Sequence, residues 1–245
     1  MLDIGGMETH YIDKGEGDVV LLLHGWGGSS VSMLGLANVL AENFRVIAID
    51  FWGFGKSDNP SKDATVYDYA VWVKQFLDTL EIKKAHIVGH SFGGRIGIIL
   101  GSMFADVVDT LTLIDSAGLR SKKTRKQKKL EKEYQMVKAE VAKGECDPMI
   151  LKKYGSSDYR ALSEDMRGVL VNVVNKDLAP DAMNINVPTN IIWGKKDEDT
   201  PPSMARKLHK YIKNSKLWWL NGGHYAYLFE QDRVVEICYK FWGII

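Results

Sequence analysis

The sequence contains little cysteine and almost no excess charge. Its 245 residues include two cysteines, Cys146 and Cys238, which form neither a CxxC pair nor a cluster of metal ligands. A chain of this size with so few thiols is expected to fold without disulfides, which predicts a reducing and therefore cytoplasmic location. The formal net charge is +1. We therefore expect no binding of nucleic acid through the overall charge of the chain.

The sequence also lacks any long apolar run. No stretch approaches the roughly 18 apolar residues of a membrane-spanning helix, so we expect no transmembrane segment. The first residues carry neither the basic region nor the apolar region of a signal peptide. The composition, 45% apolar and 26% charged, is instead that of a globular protein with a substantial core.

Short apolar runs alternate with helical patterns along most of the chain. Six runs have the length and the flanking residues of buried parallel strands: 19–23, 45–49, 85–88, 111–114, 189–193 and 216–220. Two further runs, 1–4 and 7–12, flank Gly5-Gly6 and predict an antiparallel hairpin at one edge. Helical patterns occupy 66–80, 92–105, 203–211 and 225–241. This alternation predicts an α/β fold with an eight-stranded, mostly parallel sheet flanked by helices.

The alternation stops in one region, because no good strand lies between Asp115 and Thr189. A long segment without strands, placed between two strands of one sheet, indicates an insertion and not a separate domain. We therefore expect residues 119–181 to form a helical insertion that lies over the sheet, called the predicted cap below. The α/β core then consists of residues 1–118 and 182–245.

The predicted cap is helical and strongly basic. Apolar residues recur at helical spacing along 130–141 and again along 159–173, and Ser157 is a candidate N-cap for the second helix. Residues 120–143 contain ten Lys or Arg and three Glu. Such a run is usually a solvated helix face, but it also admits the hypothesis of a positive field that steers an anionic substrate or an anionic surface.

The strongest motif is Gly89-His90-Ser91-Phe92-Gly93, which follows a predicted strand and precedes a predicted helix. This context is that of a nucleophile elbow, a sharp turn that exposes a strained serine. Side chains two residues before and two residues after the serine would clash in such a turn, which explains the glycines. The alternative is a glycine-rich turn with an incidental serine. It is disfavoured because a candidate base and a candidate carboxylate for Ser91 follow later in the chain.

A serine hydroxyl needs a base to take its proton, and His224 is the best candidate. It lies in a glycine-rich loop directly after the last predicted strand, from which it can reach the carboxyl edge of the sheet. The other histidines suit structural roles better. His24 lies beside a second glycine-rich loop, and strand alternation points His90 away from Ser91.

The base in turn needs a carboxylate that fixes its tautomer. Asp197 follows the penultimate predicted strand and is our candidate, with Glu198 and Asp199 as neighbouring rivals. Asp115, after the preceding strand, is the more serious rival, because a carboxylate there also lies at the carboxyl edge of the sheet. Solvated loop acids remain the ordinary alternative for the three residues at 197–199.

A developing oxyanion needs preorganised donors. The segment His24-Gly25-Trp26-Gly27-Gly28 follows a buried strand, where a loop can approach the elbow. We expect the backbone N–H groups of Trp26 and Phe92 to converge on the charge that develops on the substrate. Because the donors are backbone groups, the side chains of Trp26 and Phe92 affect the shape of the site and not proton transfer.

These motifs together resemble the α/β-hydrolase superfamily over essentially the whole chain. The matching pieces are HGWGG at 24–28, DFWGFGKSD at 50–58, GHSFGG at 89–94, WGKKDEDTP at 193–201 and GGHY at 222–225. The resemblance implies a catalytic triad of Ser91, Asp197 and His224, with Trp26 and Phe92 lining the oxyanion hole. It also implies that residues 120–180 form a cap over the active site and select the substrate.

The resemblance implies a serine hydrolase, a carboxylesterase, that cleaves a small carboxylic ester or related acyl substrate through an acyl-enzyme. A carbon–carbon bond hydrolase, thioesterase or lactonase remains an alternative, although His90 and Tyr225 stand where carbon–carbon hydrolases often have Asn and Trp. A non-catalytic binding or receptor module is the alternative from another class. No motif for a metal or a dinucleotide is complete, so we expect neither a cofactor nor a metal.

Overall fold

The computed structural model of the chain describes residues 1–120, 125–154, 159–160 and 162–245. The candidate N-cap Ser157 and two of the basic residues, Lys122 and Lys123, lie outside these ranges. Within them, no helix combines the length and the apolar character that crossing a membrane requires.

The described residues form nine strands in two sheets. The strands are β1 (Leu2–Ile4), β2 (Met7–Thr9), β3 (Tyr11–Lys14), β4 (Val19–Leu23), β5 (Arg45–Ile49), β6 (Ala85–His90), β7 (Val108–Ile114), β8 (Thr189–Gly194) and β9 (Ser215–Leu220). The main sheet has seven strands in the order β3-β5-β4-β6-β7-β8-β9. Only β3 runs antiparallel to its neighbour, so the sheet is mostly parallel, as the sequence predicted.

The prediction of eight strands in one sheet is wrong in its count. The hairpin β1-β2 forms a sheet of its own, and the run predicted over 7–12 is divided at His10. The imidazole of His10 binds Asp50 over 2.9 Å, and the backbone oxygen of His10 accepts from the N–H of Asp50. Because His10 is fixed to the end of β5, the chain leaves the hairpin there and continues as the edge strand β3.

Helices pack on both faces of the main sheet and also form part of the segment between β7 and β8. They are α1 (Leu34–Leu40), α2 (Val66–Thr79), α3 (Phe92–Met103), α4 (Arg125–Ala142), α5 (Glu164–Asn175), α6 (Ala179–Met183), α7 (Pro202–Tyr211), α8 (Ala226–Phe229) and α9 (Gln231–Trp242). Short 3₁₀ turns occupy Ser30–Met33, Ala105–Val107 and Pro148–Tyr154. The single C-terminal helix predicted over 225–241 is divided at Glu230, whose backbone leaves the helical region at φ −118 and ψ 41.

Side-chain alternation along the strands builds one core on each face of the sheet. Leu21 and Leu23 of β4 point into the cluster that includes α2, α3 and α7, whereas Val20 and Leu22 point into the cluster with α1 and α9. All four are fully buried. Strands buried on both faces explain why the sequence shows near-continuous apolar runs and not alternation.

The parallel arrangement brings the functional segments to one edge of the sheet. The carboxyl ends of β4, β6, β7, β8 and β9 lead into the segments that carry Trp26, Ser91, Asp115, Asp197 and His224. Because the carboxyl ends of parallel strands lie at a common edge, residues far apart in sequence can meet there.

Two helices of the predicted cap differ in how they pack. None of the side chains described on α4 is buried, and this helix packs on the turn Pro148–Tyr154, where the rings of Tyr134 and Tyr154 lie 5.7 Å apart. In α5, four apolar side chains are buried: Met166, Val169, Leu170 and Val173. Its N-cap is Ser163, whose hydroxyl accepts from the N–H of Met166.

Candidate active site

Ser91 occupies a strained turn between β6 and α3. Its φ of +51 and ψ of −106 lie in a region that residues with a side chain rarely adopt. A Cβ on Gly89 would overlap the backbone of Gly93, and a Cβ on Gly93 would overlap the carbonyl of Leu23. The two glycines therefore permit the close approach of strand, turn and helix that the elbow requires.

Ser91, His224 and Asp197 lie in one line of hydrogen bonds. The hydroxyl of Ser91 donates to Nε2 of His224 over 2.9 Å, and Nδ1–H of His224 donates to Oδ2 of Asp197 over 2.9 Å. The side chain of His224 is 9% exposed and that of Asp197 is fully buried. The three residues come from separate loops, and the geometry leaves Nε2 free of its proton so that it can accept the serine proton.

Thr200 holds the carboxylate of Asp197 in place, which the sequence analysis did not foresee. Its hydroxyl donates to Oδ2 over 2.6 Å and its backbone N–H donates to Oδ1 over 2.9 Å. Burial alone would raise the pKa of Asp197, but the hydrogen bonds from His224 and Thr200 hold it below its usual value. Asp197 is therefore an anion at neutral pH and can stabilise a positive charge on His224.

Asp115, the rival acid, is placed differently. It is fully buried at the end of β7 with a φ of +43, and Oδ1 accepts from the N–H of Gly194 over 2.7 Å. Among the described atoms, its Oδ2 has no hydrogen-bond partner. Burial, helped by the nearby charge of Asp197, raises the pKa of Asp115 to about 8. The structure thus pairs His224 with Asp197 and leaves Asp115 as a neutral acid beside them.

The loop after β4 approaches the elbow closely. The N–H of Gly93 donates to the backbone oxygen of His24 over 3.0 Å, and the rings of Trp26 and Phe92 lie 5.2 Å apart. Within the part of the chain that the structure describes, the backbone N–H groups of Trp26 and Phe92 donate to no other protein group. That these two groups form the oxyanion hole stays a prediction.

His24 is a structural histidine, as the sequence indicated. Its Nε2 accepts from the N–H of Phe51 over 3.0 Å, and its Nδ1–H donates to the carbonyl of Gly25 over 2.7 Å. Burial lowers the pKa of His24 to about 4, so the ring stays neutral. The residue fixes the loop that carries Trp26 to the end of β5.

His90 has a role that strand alternation did not reveal. Its Nε2–H donates to the backbone carbonyl of His224 over 2.9 Å, and the rings of the two histidines lie 4.9 Å apart. The side chain is buried, and burial lowers its pKa to about 3. His90 is therefore a neutral donor that supports the loop of His224. The only sequence signal for this was its position directly before Ser91.

The same carboxyl edge offers the one group of possible metal ligands found among the described residues. Ligand atoms of Asp197, Asp199 and His224 lie within 4.8 Å of one another. The carboxylate of Asp197 already accepts hydrogen bonds from His224, Thr200 and the N–H of Asp199. A cation there would displace His224 from Asp197, so this arrangement suits an acid–base pair better than a metal centre.

Comparisons with known proteins identify the family to which the fold belongs. A sequence model of the alpha/beta hydrolase fold family matches residues 18–162. The chain is 29% identical over 253 residues to AB hydrolase superfamily protein YisY of Bacillus subtilis, a match that covers 94% of this chain and 93% of that protein. It is 36% identical over 122 residues to 2-hydroxy-6-oxo-6-(2'-aminophenyl)hexa-2,4-dienoic acid hydrolase of Metapseudomonas resinovorans, covering 48% of this chain and 42% of that protein.

Solved structures share the fold. A meta-cleavage product hydrolase from Pseudomonas fluorescens superposes with a TM-score of 0.74 at 25% identity, covering 97% of this chain and 95% of that one. An esterase from Exiguobacterium antarcticum superposes with a TM-score of 0.77 at 23% identity, covering 97% of this chain and 96% of that one. At this level of identity the esterase shows similarity of fold alone.

Proposed function

Because this chain belongs to the α/β-hydrolase fold family and is a hydrolase, we propose that it is a serine carboxylesterase acting on a small carboxylic ester or related acyl compound. The observation that supports this most is the hydrogen-bonded series Ser91–His224–Asp197. A neutral imidazole that accepts from a serine hydroxyl and donates to a buried carboxylate is the arrangement that activates serine for attack on a carbonyl.

In the proposed reaction, Oγ of Ser91 attacks the carbonyl carbon while its proton moves to Nε2 of His224. The negative charge on the carbonyl oxygen is stabilised by the N–H groups of Trp26 and Phe92, and the positive charge on His224 by Asp197. His224 then gives the proton to the departing alkoxide, which leaves an acyl group on Ser91. Water, deprotonated by the same histidine, attacks the acyl-enzyme and releases the acid.

We propose further that residues 119–181 form a cap that selects the substrate, on a core of residues 1–118 and 182–245. The buried face of α5 supports this, because Met166 packs on the loop after β5 that also contacts Trp26 and Phe92. The cytoplasmic location stays a prediction.

A carbon–carbon bond hydrolase is the second candidate. The similarity to two hydrolases of ring-fission products, one at 36% identity over 122 residues and one at 25% identity, favours it. The presence of His90 and Tyr225 in place of the Asn and Trp that such enzymes often carry weighs against it. A thioesterase or a lactonase would use the same Ser91 chemistry.

The proposal is tested with a series of p-nitrophenyl esters from acetate to decanoate, assayed beside a 2-hydroxy-6-oxo-hexadienoate. Turnover of an ester with saturation kinetics supports the carboxylesterase. Turnover of the dienoate alone assigns the second candidate. If neither is cleaved and a fluorophosphonate fails to label Ser91, both the carboxylesterase and the second candidate are refuted.

A further inference from the structure

Arg95 joins the nucleophile helix to the cap. It lies one helical turn after Ser91 on α3, and its side chain is 7% exposed. Nη1 donates to the carbonyl oxygens of Val173 and Lys176 over 2.9 Å each, and Nη2 donates to that of Val174 over 3.2 Å. One buried guanidinium thus binds the C-terminal end of α5 at three points.

The chemistry of a helix end explains this contact. The last carbonyl groups of a helix have no partner within it and carry partial negative charge, so a cation is favoured there. Burial lowers the pKa of Arg95 to about 10, which still leaves it charged at neutral pH. The fourth carbonyl, that of Asn175, accepts from the exposed Arg120 instead. Two arginines, one from α3 and one from the start of the predicted cap, therefore bind the same helix end.

The position of α5 matters for the site because of what lies beneath it. Sδ and Cε of Met166 would lie 2.5 Å from a Cβ on Gly53, so this helix rests directly on the loop after β5. In that loop the ring of Phe54 lies 4.9 Å from that of Trp26. A shift of α5 would therefore disturb this loop and its contact with Trp26, whereas the described hydrogen bonds of the Ser91 and His224 side chains do not involve α5.

We propose that Arg95 is a positioning residue that holds α5 against the nucleophile helix and thereby sets the size of acyl group the site accepts. This rests on the proposed function, because the acyl pocket is defined by attack of Ser91. The guanidinium of Arg95 makes no described hydrogen bond to the side chains of Ser91, His224 or Asp197, so its loss should alter selectivity among substrates more than the chemistry common to all of them.

The variants Arg95→Met and Arg95→Lys test the proposal, with Arg120→Met as the matched control. The measured quantity is the ratio of kcat/KM for p-nitrophenyl octanoate to that for the acetate. We expect Arg95→Met to change this ratio about tenfold, the effect of a small change in pocket volume. Arg95→Lys, which can still bind one carbonyl, should change it less. For the acetate, kcat should stay within about threefold of the wild type in both.

Hydrogen exchange supplies a readout that does not depend on turnover. The amides of the last turn of α5 should exchange faster in both Arg95 variants, and those of α3 should not. If Arg95→Met does not fold, the ester ratio and the hydrogen exchange are both measured on Arg95→Lys. Unchanged ester ratios in the Arg95 variants, or an equal change in Arg120→Met, would overturn the proposal. If the wild-type protein cleaves no ester but the Arg95 variants show the faster exchange in α5, the proposed function is refuted and the role of Arg95 in holding α5 stands.

Discussion

His90 donates a hydrogen bond to the backbone carbonyl of His224 over 2.9 Å, so the residue before Ser91 supports the loop of His224. His90→Phe keeps a ring in the buried site but leaves that carbonyl without its donor. An unsatisfied buried acceptor costs about 1–3 kcal/mol. We expect kcat to fall about tenfold with little change in KM, because the base is displaced and the substrate contacts are not.

His86→Phe is the control for this variant. His86 lies on the same strand, and its Nδ1 contacts the hydroxyl of Thr110 over 2.9 Å, away from the site. The kcat and KM of both purified variants are measured with an ester, and circular dichroism checks that both are folded. A His90→Phe enzyme no slower than His86→Phe would show that the hydrogen bond to His224 does not position the base.

The two buried acids should respond differently to replacement by asparagine. Asp197→Asn should lower kcat by about 10⁴, because an amide in this place favours the wrong tautomer of His224. Asp115→Asn should change kcat by less than about threefold, since the acid it replaces is already neutral. The kcat of each variant is measured with the p-nitrophenyl ester that the wild type turns over fastest. The reverse order of effects would assign the acid of the triad to Asp115.

Asp115 also predicts a dependence of stability on pH. Its pKa is raised to about 8 in the folded protein, whereas an unfolded aspartate loses its proton near pH 4. Between these values the folded state binds more protons, so its free energy of unfolding should fall as pH rises, by at most about 1.4 kcal/mol per pH unit. Above about pH 8 this contribution no longer changes.

Chemical denaturation between about pH 5 and about pH 8 measures this effect. The free energy of unfolding of Asp115→Asn should decline less with pH than that of the wild type, because the amide does not titrate. Parallel curves for the two proteins would show that Asp115 is ionised in the folded state.

The basic face of α4 gives a prediction about ionic strength. Arg125, Lys128, Lys129 and Lys132 are all exposed on this helix. If their field steers an anionic ester, kcat/KM should fall as salt rises from about 20 mM to about 500 mM, because the Debye length falls below about 10 Å. A neutral ester of the same shape should show no such fall, and kcat should not change for either.

Charge reversal to Glu at these four positions should reproduce the high-salt kcat/KM at low salt. Reversal at Lys83 and Lys84, which precede β6 at the opposite edge of the sheet, is the control. Equal salt curves for the anionic and the neutral ester would leave the basic run of α4 as a solvated helix face.

The sequence predicted the parts of this site that local patterns encode. Glycines at 89 and 93 mark the elbow because only glycine fits there, and Asp197 and His224 follow strands whose carboxyl ends share one edge. Contacts between distant segments left no such pattern. Neither the hydrogen bond of His90 to His224 nor that of Arg95 to α5 could be predicted, since each joins residues more than 70 positions apart.

In the fold, too, features encoded by local patterns could be predicted, whereas features that depend on distant contacts could not. The bounds of β4 and β5 agree with the predicted runs residue for residue, because strands buried on both faces are apolar throughout. The division of the run 7–12 at His10 depends on Asp50, forty residues later, and its sequence pattern is that of one continuous strand. Which of two buried acids would face His224 likewise depended on the packing of Thr200 and Gly194.

The most direct test of the account is reaction of the protein with a fluorophosphonate, followed by intact-mass and peptide mass spectrometry. The account predicts one adduct, located on Ser91, and loss of ester turnover in proportion to labelling. Ser91→Ala should fold, take up no label and retain at most the acceleration that the oxyanion donors and substrate binding supply, about 10³–10⁴ over water. An unlabelled Ser91 in an active protein, or near-normal turnover by folded Ser91→Ala, would contradict the account.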